Sequence, residues 1–314
     1  MKSFIRAVEL WVPDETRRSL EYGGGQYTEG LEEFREISEL AVFSYDEGLP
    51  GKAWAARHPI ILTKFSDSYF RRADEAKLSG LTCGAALPVL AGDDVKAVLG
   101  LLCGSDQEEN VGAIELWHNN SELSHEMALV DGYYETAAMF ELNSRHATFP
   151  RGYGLPGRAW KKDRPVIIKN LGKAQQFLRA KDAALSGIDF GLAVPYKTNP
   201  SETWVISLLS APVTPIARRF EIWKTGPEQD ALVFDCGHCS AGTDLDVAFA
   251  NAVINRNEGA IGQAWASGLP VLSSDLKSDP SIAARAAKKA GLKQTVVLPT
   301  FHGDQFQAMI VWYP

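Results

Sequence analysis

Three copies of one pattern, at a period of about 105 residues, fill this chain of 314. Glu9-Leu10-Trp11 returns as Glu115-Leu116-Trp117 and as Glu221-Ile222-Trp223, each Trp 106 positions after the last. A second mark follows some 43 residues later: Gly48-Leu49-Pro50-Gly51-Lys52-Ala53-Trp54, then Gly154-Leu155-Pro156-Gly157-Arg158-Ala159-Trp160, then Gly259-Ala260-Ile261-Gly262-Gln263-Ala264-Trp265. A Pro stands five residues past each of these Trp (Pro59, Pro165, Pro270). A Gly-apolar pair comes next (Gly80-Leu81, Gly187-Ile188, Gly291-Leu292), then an apolar strand containing Pro88, Pro195 or Pro299. A fixed period of this kind means one folding unit written three times, so the fold has to be read per copy. The repeat also sorts residues: features in all three copies belong to the scaffold, and features in one copy are candidates for function.

Length alone would suggest two domains, and the repeat overrides it in favour of three, at residues 1–106, 107–212 and 213–314. Each copy opens on an alternating strand such as Ala7–Trp11 and a turn at Pro13-Asp14, with a second strand around Ser19–Tyr22. A helical stretch over Leu31–Phe43 carries Phe34 and Phe43, matched by Phe140 and Phe149, and by Leu245 and Ile254 in the third copy. The Gly-rich turn leads into a short helix, Pro59–Leu62 reads as a strand, and a polar helix over Tyr69–Ser79 stops at Gly80 as a C-terminal glycine should. Two closing strands, Cys83–Leu90 and Lys96–Cys103, are joined by the hairpin signal Ala91-Gly92-Asp93-Asp94. The copies abut through short polar or Pro-containing links at Ser105–Asn110 and Ala211–Pro215.

An apolar fraction of 45% with 23% charged residues is that of a folded soluble chain, and no apolar run reaches membrane-spanning length. The start, Met1–Arg6, has no signal-peptide core, and four Cys are too sparse for a disulfide framework, so the expected location is the cytoplasm, with no membrane contact. The net charge of −7 divides as −5, −1 and −1 over the three copies. An acidic chain argues against nucleic-acid partners, which demand a basic face.

These marks resemble the GAF domain, a sensory module with a central antiparallel sheet, and most closely the subset in bacterial signalling proteins that carries Glu-Leu-Trp and Gly-Leu-Pro-Gly. The match covers nearly the whole chain three times over; in the third copy Gly-Ala-Ile-Gly departs from the pattern. The resemblance implies an α+β fold of three tandem GAF-like (profilin-like or PAS-like) modules, each a central antiparallel sheet with short helices. It also implies signal transduction through pocket-based binding of small molecules, or dimerisation.

Two departures qualify it. GAF domains carry long flanking helices over the back of the sheet, and here the links are too short for them. Yet the closing strand is apolar on both faces, with Ala85, Leu87 and Val89 on one and Ala86, Pro88 and Leu90 on the other. The modules are therefore expected to pack sheet against sheet around a pseudo-threefold axis, which a scattering curve of an extended three-bead string would refute. No kinase, cyclase or DNA-binding output domain is expected beside the three copies.

Glu9, Glu115 and Glu221 lie two residues before Trp11, Trp117 and Trp223, hence on the same strand face. Recurrence assigns them to structure, as buried carboxylates accepting hydrogen bonds from the backbone of the Gly-rich turn. Trp54, Trp160 and Trp265 are read likewise as apolar anchors. Cys236-Gly237-His238-Cys239 is unique to the third copy and aligns with Gly24-Gly25-Gln26-Tyr27, a loop after the second strand. As a CxxC it matches a redox dithiol, or half a zinc site completed by His238 or His302, against the plainer reading of inert thiols. No second Cys pair stands at metal-ligand spacing, and no thioredoxin-like βαβ pattern surrounds it.

The second copy carries the one dense basic run: Arg158, Lys161, Lys162, Arg164, Lys169, Lys173, Arg179 and Lys181, offset by Asp163. In a GAF domain this segment borders the ligand pocket, which makes Arg158, Lys161, Arg179 and Lys181 candidates for holding a nucleotide or another anion, with Tyr133 and Tyr134 as ring-stacking partners. The plainer reading is a solvated face or a contact with the acidic first module. No P-loop, dinucleotide fingerprint or Gly-x-Ser-x-Gly elbow is present. A free methionine sulfoxide reductase also uses the GAF fold, but Cys83, Cys103, Cys236 and Cys239 are scattered over two modules. The expected function is a non-enzymatic sensory or ligand-binding signalling protein with no catalytic residue and no cofactor. Its partner would be a small molecule, a signalling protein or a second copy in a homodimer. The alternatives are redox or metal chemistry at Cys236 and Cys239, and a structural assembly whose pockets are filled by side chains.

Overall fold

The computed structural model describes residues 3–104 and 110–314. It contains three six-stranded antiparallel sheets built in the same way. The first holds β1 (Ile5–Pro13), β2 (Ser19–Tyr27), β3 (Val42–Ser44), β4 (Ile60–Leu62), β5 (Cys83–Ala91) and β6 (Asp94–Cys103), with α1 (Glu32–Glu39), α2 (Gly48–Ala56) and α3 (Ala73–Leu78) between them. The second holds β7 (Val111–Asn120), β8 (Glu126–Glu135), β9 (Thr148–Pro150), β10 (Val166–Lys169), β11 (Phe190–Lys197) and β12 (Glu202–Ser210), with α4 (Ala138–His146), α5 (Gly154–Lys162) and α6 (Ala180–Ser186). The third holds β13 (Arg219–Thr225), β14 (Leu232–Cys239), β15 (Val253–Ile254), β16 (Val271–Ser273), β17 (Thr295–His302) and β18 (Gln305–Tyr313), with α7 (Leu245–Ala248), α8 (Gly259–Ser267) and α9 (Ile282–Lys289). In each sheet the opening and closing strands are central neighbours, in the order β3-β2-β1-β6-β5-β4 and its equivalents.

The repeated glycines have distinct tasks. Gly48, Gly154 and Gly259 all adopt φ near +60°, a conformation that costs a glycine nothing. Three residues on, a side chain at Gly51, Gly157 or Gly262 would strike the carbonyl oxygen of Ser44, Pro150 or Asn255. That close approach lets Asp46, Gly152 and Asn257 donate their backbone N–H to the carbonyls of Gly51, Gly157 and Gly262, at 3.0, 2.7 and 3.0 Å. The turn is thus locked in the same shape three times. A bulge recurs as well, between Leu10 and Trp11, Leu116 and Trp117, and Ile222 and Trp223. It turns each Trp under the helices, where all three are fully buried. Trp11 meets Phe43 edge-on at 4.7 Å and Trp117 meets Phe149 at the same distance. In the third copy Ile254 and Leu245 are just as buried at the places of Phe43 and Phe34.

Several elements differ from the sequence expectation. The second strand runs on to Tyr27, and Phe43 belongs to β3 and not to a helix. The helix expected over Tyr69–Ser79 begins only at Ala73. Upstream of it, Ser68 Oγ donates to the Phe65 carbonyl (2.6 Å) and accepts from Phe70 N–H (3.1 Å), and the Phe65 and Phe70 rings stack at 3.7 Å. That local turn competes successfully with the helix. The closing strand β5 is buried from Cys83 through Val89, on both faces as expected.

The chain divides into two compact units. One carries the first two modules; the other carries Ala217–Pro314 together with Val89–Ala97, the tip of the β5–β6 hairpin. Within the first unit the modules meet through β4, which packs on β7 and β8. There His58 of the first module stacks flat on Trp204 of the second (3.7 Å, 10° between planes), and His118 lies 4.1 Å from the same ring. Phe4 lies against Tyr133, at 5.9 Å. Within the second unit Gly92 N–H donates to the Gly303 carbonyl at 3.0 Å, tying hairpin tip to hairpin tip. Among the described residues no helix is long and apolar enough to cross a membrane. The link at Ser105–Asn110 lies, apart from Asn110, outside the described residues.

Candidate functional site

The interior of each module is built on its repeated Glu, and the partner is an arginine, not the backbone of the Gly-rich turn. In the first module Glu9 is paired in a bidentate fork with Arg72, both oxygens at 2.8 Å, and both side chains are buried. Arg72 also donates to Ser38 Oγ, which in turn donates to the Phe34 carbonyl at 2.7 Å. Tyr27 OH adds a hydrogen bond to Glu9 at 3.1 Å. The second module repeats this: Arg179 pairs with Glu115 and donates to Ser144, whose hydroxyl bonds the Phe140 carbonyl at 2.6 Å. Trp117 Nε1–H donates to Glu115 at 3.0 Å. Four rings surround each guanidinium, at 4.8–5.7 Å for Arg72 and 4.5–5.5 Å for Arg179. An aromatic cage of this type is a favourable seat for a desolvated cation.

The third module keeps the Glu and rewires its partner. Arg72 and Arg179 stand immediately before α3 and α6; at that place α9 has Ser281, which caps the helix by accepting from Ala284 N–H at 3.2 Å. The arginine has moved to Arg219, two residues before Glu221 on β13, where the other modules have Ala7 and Ala113. Arg219 and Glu221 form a fully buried pair, and Trp223 Nε1–H donates to Glu221 at 2.7 Å. Phe249 takes the place of Ser38 and Ser144, 5.0 Å from the guanidinium, and Tyr313 lies at 5.1 Å. The electrostatic result differs. For Glu9, burial opposes ionisation, but the Arg72 charge and the hydrogen bonds from Arg72 and Tyr27 outweigh it, holding the carboxyl below its ordinary value. For Glu221, burial dominates over Arg219 and pushes it up.

The structure separates the candidates that the basic run had grouped. Arg179 is committed to Glu115 inside the module. Tyr134 is buried beside Phe140, and burial raises its hydroxyl well above the usual tyrosine range. Tyr133 turns to the first module, with its hydroxyl on Glu135 and 3.4 Å from Thr82 Oγ1. Lys181 is exposed on α6. Arg158 and Lys161 do come together. With Lys162 they line an open cleft of about 560 Å³ over the Gly152-Tyr153-Gly154 turn, faced by Gln175, Gln176 and Leu178. All three cations lie on α5 at spacings that place them on neighbouring faces. None of the three has a carboxylate partner among the described residues.

The CxxC lies within β14 and not in a loop. Arg219 pairs with Cys239 and Ile222 with Cys236, the register in which the first module has Tyr27 and Gly24. Residues three apart on a strand project to opposite faces, so Cys239 is buried and Cys236 half-buried on the other side. Among the described residues no three of His, Cys, Asp and Glu gather as a metal site would require. Trp160 and Trp265 are buried, with Arg151 and Arg256 over their rings at 5.9 and 4.1 Å; Trp54 is half-buried, edge-on to Tyr45 at 5.4 Å. What the sequence reading missed is the arginine partner. Its signal was available, because Arg72 and Arg179 recur 107 residues apart just ahead of matching helices.

No family model matches this chain. No curated protein matches it either. Among solved structures, it is similar to the GAF domain of A. aeolicus nlh2 in an inactive state (17% identity over 33% of this chain and 60% of that one, TM-score 0.26). It is similar to a GAF domain/HD domain protein from Geobacter sulfurreducens (17% identity, 33% and 65%, TM-score 0.28). It is also similar to free methionine-R-sulfoxide reductase from Neisseria meningitidis in complex with its substrate (13% identity, 32% and 52%, TM-score 0.25). Each likeness spans about a third of this chain and less than two thirds of the other. Three six-stranded antiparallel sheets of one strand order carry the Glu-x-Trp and Gly-x-x-Gly marks at matching places.

Proposed function

We propose that the chain is a non-enzymatic ligand-binding protein of signalling type, assembled from three GAF-like modules at residues 1–106, 107–212 and 213–314, with its binding site in the outer cleft of the second. In the first two modules the space beneath the helices is taken by an arginine caged among four rings and paired to the repeated Glu. Such an interior supports the scaffold and leaves little room for a guest. The single observation carrying the reading is the opposite condition outside: an open cleft of about 560 Å³, within the range of small-molecule sites, rimmed by Arg158, Lys161 and Lys162, which have no carboxylate partner among the described residues.

Native mass spectrometry of the full chain, as purified and after incubation with a mixed set of nucleotides, organic acids and amino acids, tests it. The expected result is a small-molecule adduct in the unmodified chain that is lost in Arg158→Glu. An adduct unaffected by that substitution, or no saturable adduct from the whole set, sinks the reading.

A further inference from the structure

The repeat supplies two internal controls for the second module's cleft. At the corresponding place the first module has Asp46-Glu47-Gly48, and its cations are already answered: Lys52 is 3.1 Å from Asp46 and Arg71 is 2.6 Å from Glu47. Glu47 also secures the turn by accepting from Ser44 N–H at 2.9 Å. The third module keeps the same carboxylate as Glu258, accepting from Asn255 N–H at 3.0 Å, and has Gln263, Ala266 and Ser267 where the cations would be. The second module reverses both terms. Gly152 and Tyr153 replace Asp46 and Glu47, while Lys161 and Lys162 replace Ala55 and Ala56.

This exchange has a physical cost and a geometric purpose. Like charges three and four apart on a helix repel by a few tenths of a kcal/mol, and here nothing in the described chain offsets that. Gly152, at φ +97°, leaves space that Lys161 crosses, since a side chain there would meet Lys161 Cδ at 2.8 Å. Tyr153 and Leu178 remain 65% and 58% exposed beside the cations, an apolar surface next to a charged one. Two carboxylates answer the cations in the first module; in the second, no carboxylate among the described residues takes that role.

We propose that the second module's cleft takes a small amphiphilic dianion, its charged end held by Arg158, Lys161 and Lys162 and its apolar body laid against Tyr153 and Leu178. The inference rests on the reading of this cleft as the binding site, and it adds the ligand's chemical class. A phosphate monoester and a dicarboxylate share that chemistry, and the first module's own Asp46 and Glu47 act as its intramolecular counterpart.

Titration of the full chain, followed by NMR, with phenyl phosphate, phenylsuccinate, inorganic phosphate and phenol separates the terms. Phenyl phosphate or phenylsuccinate is expected to bind at least tenfold tighter than inorganic phosphate and than phenol, and whichever is tighter identifies the head group. Tyr153→Glu restores the carboxylate that both sister modules carry, so it is expected to keep the thermal midpoint while weakening the better dianion at least tenfold; Lys161→Glu is expected to do the same. Phenol binding as tightly as the dianions, with loss on Tyr153→Glu, overturns the charge assignment and leaves the cleft as a binding site. Failure of both dianions to bind overturns the proposal. Dianion binding unaffected by either substitution also overturns it, because the anion then sits elsewhere.

Discussion

The first and third modules solve one problem in two ways. Both bury a glutamate two residues before a tryptophan, and both neutralise it with an arginine. In the first module the arginine comes from a loop 63 residues away, forks onto both carboxylate oxygens, and is itself braced by Ser38 and four rings. In the third it comes from the same strand, at Arg219, and the serine has become Phe249. The difference shows in the carboxyls: Glu9 is held below its ordinary range and Glu221 is pushed above it, although both are fully buried. A distant partner that can approach squarely compensates desolvation better than a neighbour constrained by the strand. A buried charge is tolerated to the extent that its hydrogen-bonding capacity is filled.

Removing the arginines is the strongest way to break the comparison. Arg72→Leu leaves Glu9 buried with only Tyr27 and Ser38 nearby, and should cost about 3–5 kcal/mol in urea unfolding, the usual penalty for orphaning one half of a buried pair. Arg219→Leu should cost less, about 1–3 kcal/mol, because burial already works against the Glu221 charge and the carboxyl keeps the Trp223 N–H. Equal losses, or a larger one in the third module, would show that both carboxylates depend on their arginine alike.

A gentler comparison replaces each carboxyl by its neutral isostere. Glu9 has a folded value below its unfolded one, so its contribution is present above the ordinary carboxylate range and is lost as pH falls through the folded value. Glu221 has a folded value above its unfolded one, so its ionised form weakens the fold once pH rises through that value. At pH 7, therefore, Glu9→Gln should destabilise by about 1–3 kcal/mol, an effect that fades toward acid, while Glu221→Gln should leave stability unchanged or raised. Denaturation midpoints at pH 7, pH 4.5 and pH 3 check both signs, the last two bracketing the range in which the Glu9 contribution fades. A Glu221→Gln loss as large as that of Glu9→Gln contradicts the assignment.

How much of this was legible in the sequence depends on distance along the chain. The Gly-x-x-Gly turns were, because both the left-handed φ at Gly48 and the carbonyl contact at Gly51 are local demands that only glycine meets. The double burial of β5 was, because an uninterrupted apolar run has that meaning. The helix over Tyr69–Ser79 was overdrawn, since its polar residues serve as well for the Ser68 turn that displaces its first half. The Glu9–Arg72 pair was hidden by separation, and the basic run misled by mixing Arg179, an interior residue, with Arg158 and Lys161 on the cleft. Composition registers charge and not the direction in which a side chain points. The migration of arginine from the place of Arg72 to Arg219 is nonetheless written in the repeat, as Ala7 and Ala113 against Arg219 and as Arg72 and Arg179 against Ser281.

The smallest expected effect concerns the third module's CxxC, which the first module replaces with Gly24–Tyr27. Redox dithiols of this spacing depend on a turn or helix start that brings both sulfurs to one side. Here three steps along β14, at about 3.3 Å each, separate the two Cα atoms by about 10 Å, and a disulfide tolerates no more than about 7 Å. The side chains also leave opposite faces of the sheet, so bridging them requires β14 to detach from β13. Diamide treatment of the folded chain should therefore leave Cys236 and Cys239 unbridged by peptide mass analysis, and Cys236→Ser should shift stability by no more than about 0.5 kcal/mol, as expected of a substitution outside the core. A Cys236–Cys239 bridge formed under native conditions would mean that β14 opens readily, and that the third module, unlike the first, holds its second strand loosely enough for thiol chemistry.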